Sequence, residues 1–117
     1  MPIKIRAKDF ALTEGIRLHI ERRLGFALDR FEKRVSAVIV WVGDLNGHKQ
    51  GPDDKCCRLA IRLTHRIVVL EERAADLYVA IDRAAHRARK AIAREARRAR
   101  RPASPRLQVS WPRSSFL

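Results

Sequence analysis

Residues 76–101 read DLYVAIDRAAHRARKAIAREARRARR, and two interleaved patterns in this stretch predict an amphipathic α-helix. Its apolar residues recur at steps of three, four and seven, which places them on one helical face. They are Leu77, Ile81, Ala84, Ala88, Ile92 and Ala99. Its basic residues recur at alternating steps of four and three, as far as Arg101, along a different face. We call five of them the basic stripe: Arg83, Arg87, Lys90, Arg94 and Arg97. We therefore expect one face of this helix to be buried and the other to be cationic.

The rest of the chain predicts a sheet and one further helix. Alternating residues at Ile3 and Ile5 predict a strand over 2–8. Apolar residues at helical spacing, after a possible N-cap at Thr13, predict a helix from Glu14 to Glu32. Three more strands are predicted, at 35–42, 57–63 and 67–70. Between the first two of these strands lies a polar loop at 43–54, with turn signals.

This order of elements, β-α-β-β-β-α, predicts an α+β fold. We expect a four-stranded mixed sheet whose first two strands are parallel, with both helices packed on one face. The opposite sheet face would carry Lys4, Arg6, Arg58 and Arg62. A chain of this length is enough for one domain, which we place at residues 1–101. Residues 102–117 mix Pro, Ser and Arg, which predicts a flexible tail.

The chain carries a large and uneven positive charge. It contains 26 Lys and Arg against 13 Asp and Glu, a formal net charge of +13. Residues 75–117 hold 11 of the basic side chains but only 3 of the acidic ones. An excess of this size opposes compactness through self-repulsion, and it indicates a polyanionic partner such as nucleic acid.

The residue types that support catalysis or metal binding are present but poorly placed. The four histidines, His19, His48, His65 and His86, are scattered, and Cys56 and Cys57 are adjacent rather than spaced as Cys-x-x-Cys. No glycine-rich phosphate loop follows a strand. We therefore expect no catalytic residues, no metal, no cofactor and no small-molecule substrate. Both cysteines are expected to be free thiols. Strand alternation predicts that Cys57 faces the core and that Cys56 faces outward and reacts faster.

Membrane insertion is also not indicated. No apolar run approaches the ~20 residues that span a bilayer, and the N-terminus lacks the apolar segment of a secretory signal. The predicted helix at 76–101 has an apolar face made mostly of alanine, which is too small to anchor it on a membrane surface. The sequence thus predicts a cytoplasmic protein.

The basic stripe is the positive functional signal. From Arg83 to Arg101 there are nine basic residues and one acid, Glu95. A merely solvated face would mix signs to gain i,i+4 pairs, so this density favours neutralisation by phosphates. Eight of the nine are arginine, whose planar fork suits phosphate. Arg22, Arg23 and Arg30 on the first helix form a second basic set.

Residues 76–82, Asp-Leu-Tyr-Val-Ala-Ile-Asp, closely resemble the signature that opens the second helix of ribosome hibernation promoting factors. These proteins are also called ribosome-associated inhibitors or ribosomal subunit interface proteins. The element order matches as well, as do several shorter segments. These segments are Ile3 and Ile5, Leu12-Thr13, Asp44 to Gly47, Gly51, Asp54-Lys55 and Cys57. The chain departs from the family pattern at His86 and Ala88, where members often carry Asp and Leu.

The resemblance implies a fold similar to double-stranded-RNA-binding domains. It also implies binding to the small ribosomal subunit and its 16S rRNA, near the mRNA channel and the tRNA sites, where occupancy blocks translation in stressed or stationary cells. Long members add a C-terminal dimerisation domain. Only 16 residues follow Arg101, so the resemblance implies a short, monomeric form. Two alternatives stay open: a general structured-RNA-binding module or assembly factor, and a basic domain that docks an acidic protein partner.

Overall fold

A computed structural model of the chain describes residues 2–8, 11–44 and 54–99. The predicted β-α-β-β-β-α order is confirmed. The elements are β1 (Ile3–Lys8), α1 (Glu14–Leu28), a 3-10 turn (Asp29–Phe31), β2 (Val35–Asp44), β3 (Lys55–Leu63), β4 (Ile67–Ala74) and α2 (Leu77–Ala99). The predicted tail at 102–117, most of the predicted loop and Arg101 lie outside the described residues.

The four strands form one mixed sheet in the order β1-β2-β3-β4. As predicted, β1 runs parallel to β2, with Ile5 opposite Val40. The β2–β3 and β3–β4 pairs are antiparallel. β1 and β4 are therefore the two edge strands of the sheet.

Both helices share one hydrophobic core with one face of the sheet. Alternate residues of the two central strands point into this core because successive strand side chains face opposite ways. They include Val38, Val40, Val42, Leu59 and Ile61. The helices contribute Ile20, Leu24, Leu28, Leu77, Ile81, Ala84, Ala88 and Ile92. The predicted apolar face of α2 is therefore confirmed, apart from Ala99, whose side chain lies outside the described part of the chain.

Side chains of two polar residues set the starts of the helices. The backbone N–H of Ile16 donates to Thr13 Oγ1 at 3.2 Å, so the predicted N-cap is confirmed. The N–H of Tyr78 donates to Asp76 Oδ1 at 2.8 Å. At its other end α1 is shorter than predicted, because the chain tightens into the 3-10 turn after Leu28.

Three strands extend further than predicted, because β3 begins two residues early, at Lys55, and both β2 and β4 end late. β4 continues through Glu71, Glu72 and Arg73 to Ala74, where a connecting segment was predicted. β2 continues to Asp44 and pairs there with Lys55. The Lys55 ammonium donates to Asp44 at 2.8 Å, and this hydrogen bond raises the pKa of the lysine. Strand pairing at these positions is thus supported by ion pairs rather than by apolar side chains.

The outer face of the sheet differs from the prediction at one arginine. Lys4, Arg6 and Arg62 are exposed as expected. The side chain of Arg58, however, is only 17% exposed, and its Nε lies 3.9 Å from Glu71 Oε1. Arg58 and Glu71 are directly opposite each other on β3 and β4, so the arginine side chain extends along the sheet surface rather than into solvent.

The prediction that Cys56 is accessible is wrong. Cys56 and Cys57 do face opposite sides of β3, yet their exposures are 0% and 1%. Burial raises the pKa of Cys56 to about 12, with the Glu71 carboxylate adding to the effect. Burial also raises the pKa of Cys57. Both thiols are therefore protonated and shielded at neutral pH.

We expect both cysteines to resist a thiol reagent in the folded protein. At pH 8, a pKa of about 12 leaves roughly a thousandfold less thiolate than an ordinary cysteine has, and only the thiolate reacts. Dithionitrobenzoate should therefore react slowly with the native protein. In guanidinium chloride the reaction should be rapid and should release two equivalents of thionitrobenzoate, one for each cysteine. The Cys56→Ser and Cys57→Ser variants assign each rate. Rapid labelling of Cys56 without denaturant would contradict this description of the outer sheet face.

Candidate nucleic-acid interface

The basic stripe is exposed along the length of α2. All five of its residues are accessible to solvent, whereas Ala84, Ala88 and Ile92 on the opposite face are buried. At 1.5 Å rise per residue, the stripe extends about 21 Å along the helix axis. A row of cations of this length can contact several consecutive phosphates.

The first two residues of the stripe also contact the edge of the sheet. Arg83 donates through Nη1 to the backbone carbonyl of Arg73 at 3.1 Å. Arg87 donates through Nη1 to the carbonyl of Glu71 at 2.9 Å and to the Glu72 carboxylate at 2.6 Å. Each guanidinium carries five N–H donors, so donors remain for a second partner. Arg83 and Arg87 thus combine a structural contact with an exposed charge.

The remaining three residues of the stripe are not neutralised by the protein. Within the described part of the chain, no carboxylate lies within ion-pair distance of Lys90, Arg94 or Arg97. Glu95 is their nearest acidic neighbour in sequence, but its side chain is turned away. Both of its oxygens accept from Arg66 Nη1 at 2.7 Å, and it is only 18% exposed. These three cations therefore present full charge to solvent.

The second basic set lies on α1 beside α2. Arg22, Arg23 and Arg30 are all exposed. Arg23 is paired, since its Nε lies 3.0 Å from Asp82 Oδ1. Among the described residues, Arg22 and Arg30 have no such carboxylate partner. The structure therefore brings both predicted basic sets to the helical side of the fold.

Asp82 connects the two helices. The same Oδ1 atom that pairs with Arg23 lies 2.7 Å from His19 Nε2. The His19 ring packs edge-on against Tyr78, with ring centroids 4.8 Å apart. Tyr78 is 41% exposed, so more than half of its surface is buried, and it contacts α1 through this ring pair. Its position three residues before Ile81 places it on the side of the buried face that turns towards α1.

Two site residues escape the sequence analysis. Asp82 pairs with a histidine 63 residues away, and no spacing signals such a contact. Arg89 is exposed on α2 but lies outside the basic stripe. It follows Asp82 by seven residues, which places it on the α1 side of the helix. That spacing could have identified Arg89 as an exposed basic residue on the α1 side of α2.

Comparisons with known proteins confirm the resemblance that residues 76–82 indicate. The sequence profile of the sigma 54 modulation protein / S30EA ribosomal protein family matches residues 3–100. The N-terminal domain of Thermus thermophilus Protein Y is 27% identical, with a TM-score of 0.69 over 81% of this chain and 99% of that one. A ribosomal subunit interface protein from Coxiella burnetii has the same fold at 13% identity, with a TM-score of 0.69 over 83% and 99%.

No curated protein matches the chain significantly. The described helices include none that is both long and apolar enough to cross a membrane.

Proposed function

Because the chain belongs to the sigma 54 modulation protein / S30EA ribosomal protein family, we propose that it is a ribosome-binding inhibitor of translation. It acts without catalysis, by occupying the mRNA channel and tRNA-site region of the small ribosomal subunit in the cytoplasm. The observation that carries the proposal is the unneutralised row of Lys90, Arg94 and Arg97, exposed on a helix of a protein from this family.

The proposed contacts are to 16S rRNA phosphates. The five residues of the basic stripe would bind the RNA backbone, with Arg22, Arg23 and Arg30 as a second set. Contacts of this type position a protein without reading base sequence, so no base-reading motif is needed. Specificity would come from the fit of a preformed body into a preformed cleft.

To fit a preformed cleft, the two basic sets must keep fixed positions relative to each other. The contacts of Asp82 with His19 and Arg23, together with the shared hydrophobic core, hold α1 against α2. A rigid pair of helices loses little conformational entropy on binding, which favours affinity. One monomer per subunit is sufficient for this mechanism.

Sedimentation through a sucrose gradient tests the proposal. We expect the protein to migrate with purified small subunits at low salt and to dissociate as the salt concentration rises, because phosphate binding releases counterions. Small subunits loaded beforehand with mRNA and tRNA should bind the protein poorly, because the mRNA and tRNA then occupy the proposed site.

Two results would contradict the proposal. Binding to free structured RNA with no preference for small subunits would indicate a general RNA-binding module. A protein complex that survives ribonuclease would indicate an acidic protein partner.

A further inference from the structure

The outer surface of α1 carries a row of alternating apolar and basic residues. Leu18, Arg22, Phe26 and Arg30 follow one another at intervals of four residues. The first three lie side by side on α1, and Arg30 lies in the 3-10 turn that continues the helix. All four are exposed. We call this row the α1 ridge.

Phe26 is the most exposed large hydrophobic residue among those the structure describes, at 77%. It lies outside the buried face of α1, which consists of Ile20, Leu24, Ala27 and Leu28. The phenyl ring therefore contributes little to the core. Single exposed apolar residues are common on protein surfaces, so the surroundings of Phe26 must decide whether it binds a partner.

The surroundings of Phe26 are cationic. Of the four residues that lie three or four positions away along the chain, three are arginines, Arg22, Arg23 and Arg30, and one is Asp29. In the described part of the chain, Arg22 and Arg30 are exposed and have no carboxylate within ion-pair distance. A flat aromatic ring with unpaired guanidinium groups on both sides combines the two contacts that single-stranded nucleic acids make: base stacking and phosphate binding.

We propose that Phe26 stacks on an unpaired base of the bound RNA while Arg22 and Arg30 contact the flanking phosphates. This inference rests on the proposed function and adds to it a base contact on α1. It requires an RNA segment whose bases are unstacked, such as a loop, a bulge or a single strand, because aromatic side chains reach RNA bases mainly there. Every base has a π face, so the contact tolerates different sequences.

Self-association through the α1 ridge is not favoured by its charge. A second copy would place its own Arg22 and Arg30 near those of the first, in a protein whose formal net charge is +13. An RNA segment, in contrast, brings phosphates to the same arginines. Charge complementarity therefore selects RNA as the partner of Phe26 and the two arginines that flank it.

Substitutions at Phe26 test the stacking contact by fluorescence titration of labelled protein with small subunits. Loss of one stacked base corresponds to a 5- to 150-fold weaker affinity, at about 1.4 kcal/mol per factor of ten, so Phe26→Ala should raise Kd by about that factor. Phe26→Trp should bind small subunits at least as well as the unchanged protein. Phe26→Leu should bind them weakly, because leucine has no flat π face. The dependence of binding on salt should stay unchanged in Phe26→Ala, since no phosphate contact is lost.

Leu18→Ala is the matched control, because Leu18 is also exposed on the α1 ridge but cannot stack. We expect less than about a twofold change for it, and unchanged thermal unfolding for every variant. Wild-type affinity for Phe26→Ala would overturn the inference and leave the proposed function intact. Wild-type affinity for Phe26→Leu would overturn it too, since it would show a general apolar contact. Failure of the unchanged protein to bind small subunits would overturn both proposals.

Photo-crosslinking identifies the occupant directly. With p-benzoylphenylalanine at position 26, we expect a crosslinked product that contains 16S rRNA. Ribonuclease should reduce the size of this product. A crosslink to a ribosomal protein instead would overturn the inference.

Discussion

Reversing the charge of Lys90, Arg94 and Arg97 together to glutamate should weaken binding to small ribosomal subunits by more than about a thousandfold. Each of the three side chains is exposed and has no acidic partner in the described part of the chain. A hydrogen bond to a charged group contributes about 1.5–3 kcal/mol, so three lost contacts exceed 4 kcal/mol by that estimate. The measurement is pelleting with small subunits at several salt concentrations.

Variants with glutamine at the same three positions distinguish the loss of phosphate contacts from the repulsion between the new glutamates and the phosphates. They should bind more weakly than the unchanged protein but better than the glutamate variant. Their log Kd should also depend less on log salt, by about two to three units of slope, because three fewer phosphates are neutralised. Circular dichroism should show folded protein in both cases, because none of the three side chains contributes to the core.

The outer face of the sheet provides a matched control. Lys4, Arg6 and Arg62 are also exposed, and changing all three to glutamate alters the net charge equally. We expect less than about a tenfold loss of affinity, from long-range attraction alone. Comparable losses for the two triple variants would show that net charge, rather than the basic stripe, determines binding.

The second large effect concerns stability, at Ile81. This side chain is 1% exposed and belongs to the hydrophobic core that α2 shares with the sheet. Ile81→Ala removes buried methyl and methylene groups and leaves a cavity, which costs about 2–5 kcal/mol of the free energy of unfolding. For a single domain this is a large part of the total. Urea denaturation followed by circular dichroism measures the difference.

Val79→Ala is the control on the same helix. Val79 lies two residues before Ile81 and is 38% exposed, so its truncation should change the free energy of unfolding by less than about 0.5 kcal/mol. If the two substitutions had equal effects, the assignment of the buried face of α2 would be wrong.

Hydrophobic periodicity was sufficient to predict most of the fold. The spacing of Leu77, Ile81 and Ile92 identified the buried face of α2 because only one stripe of a helix can meet the sheet. The end of β4 was not predicted, because Glu71, Glu72 and Arg73 look like a polar connection. They form a strand because their backbone pairs with β3. Their side chains form ion pairs, Arg73 with Glu71 within the strand and Glu72 with Arg87 of α2.

The sequence could not predict those features of the candidate site that depend on contacts between distant elements. The sequence predicted that the basic stripe would be exposed, and helical spacing alone justified this. It could not show that Arg83 and Arg87 reach carbonyls of β4, or that Glu95 turns towards Arg66, because these contacts depend on how α2 lies across the sheet. The burial of Cys56 was missed for a similar reason. Alternation predicts which way a side chain points but not what covers it.

The hydrogen bonds from Arg83 and Arg87 to β4 also bear on the behaviour of the protein at high concentration. β4 is an edge strand, and the free backbone groups of such strands can recruit a strand from another molecule and start aggregation. The two guanidinium groups occupy the carbonyls of Arg73 and Glu71, which an incoming strand would need, and they add positive charge there. Arginines proposed to bind RNA thereby also obstruct the pairing of a second strand with this end of β4.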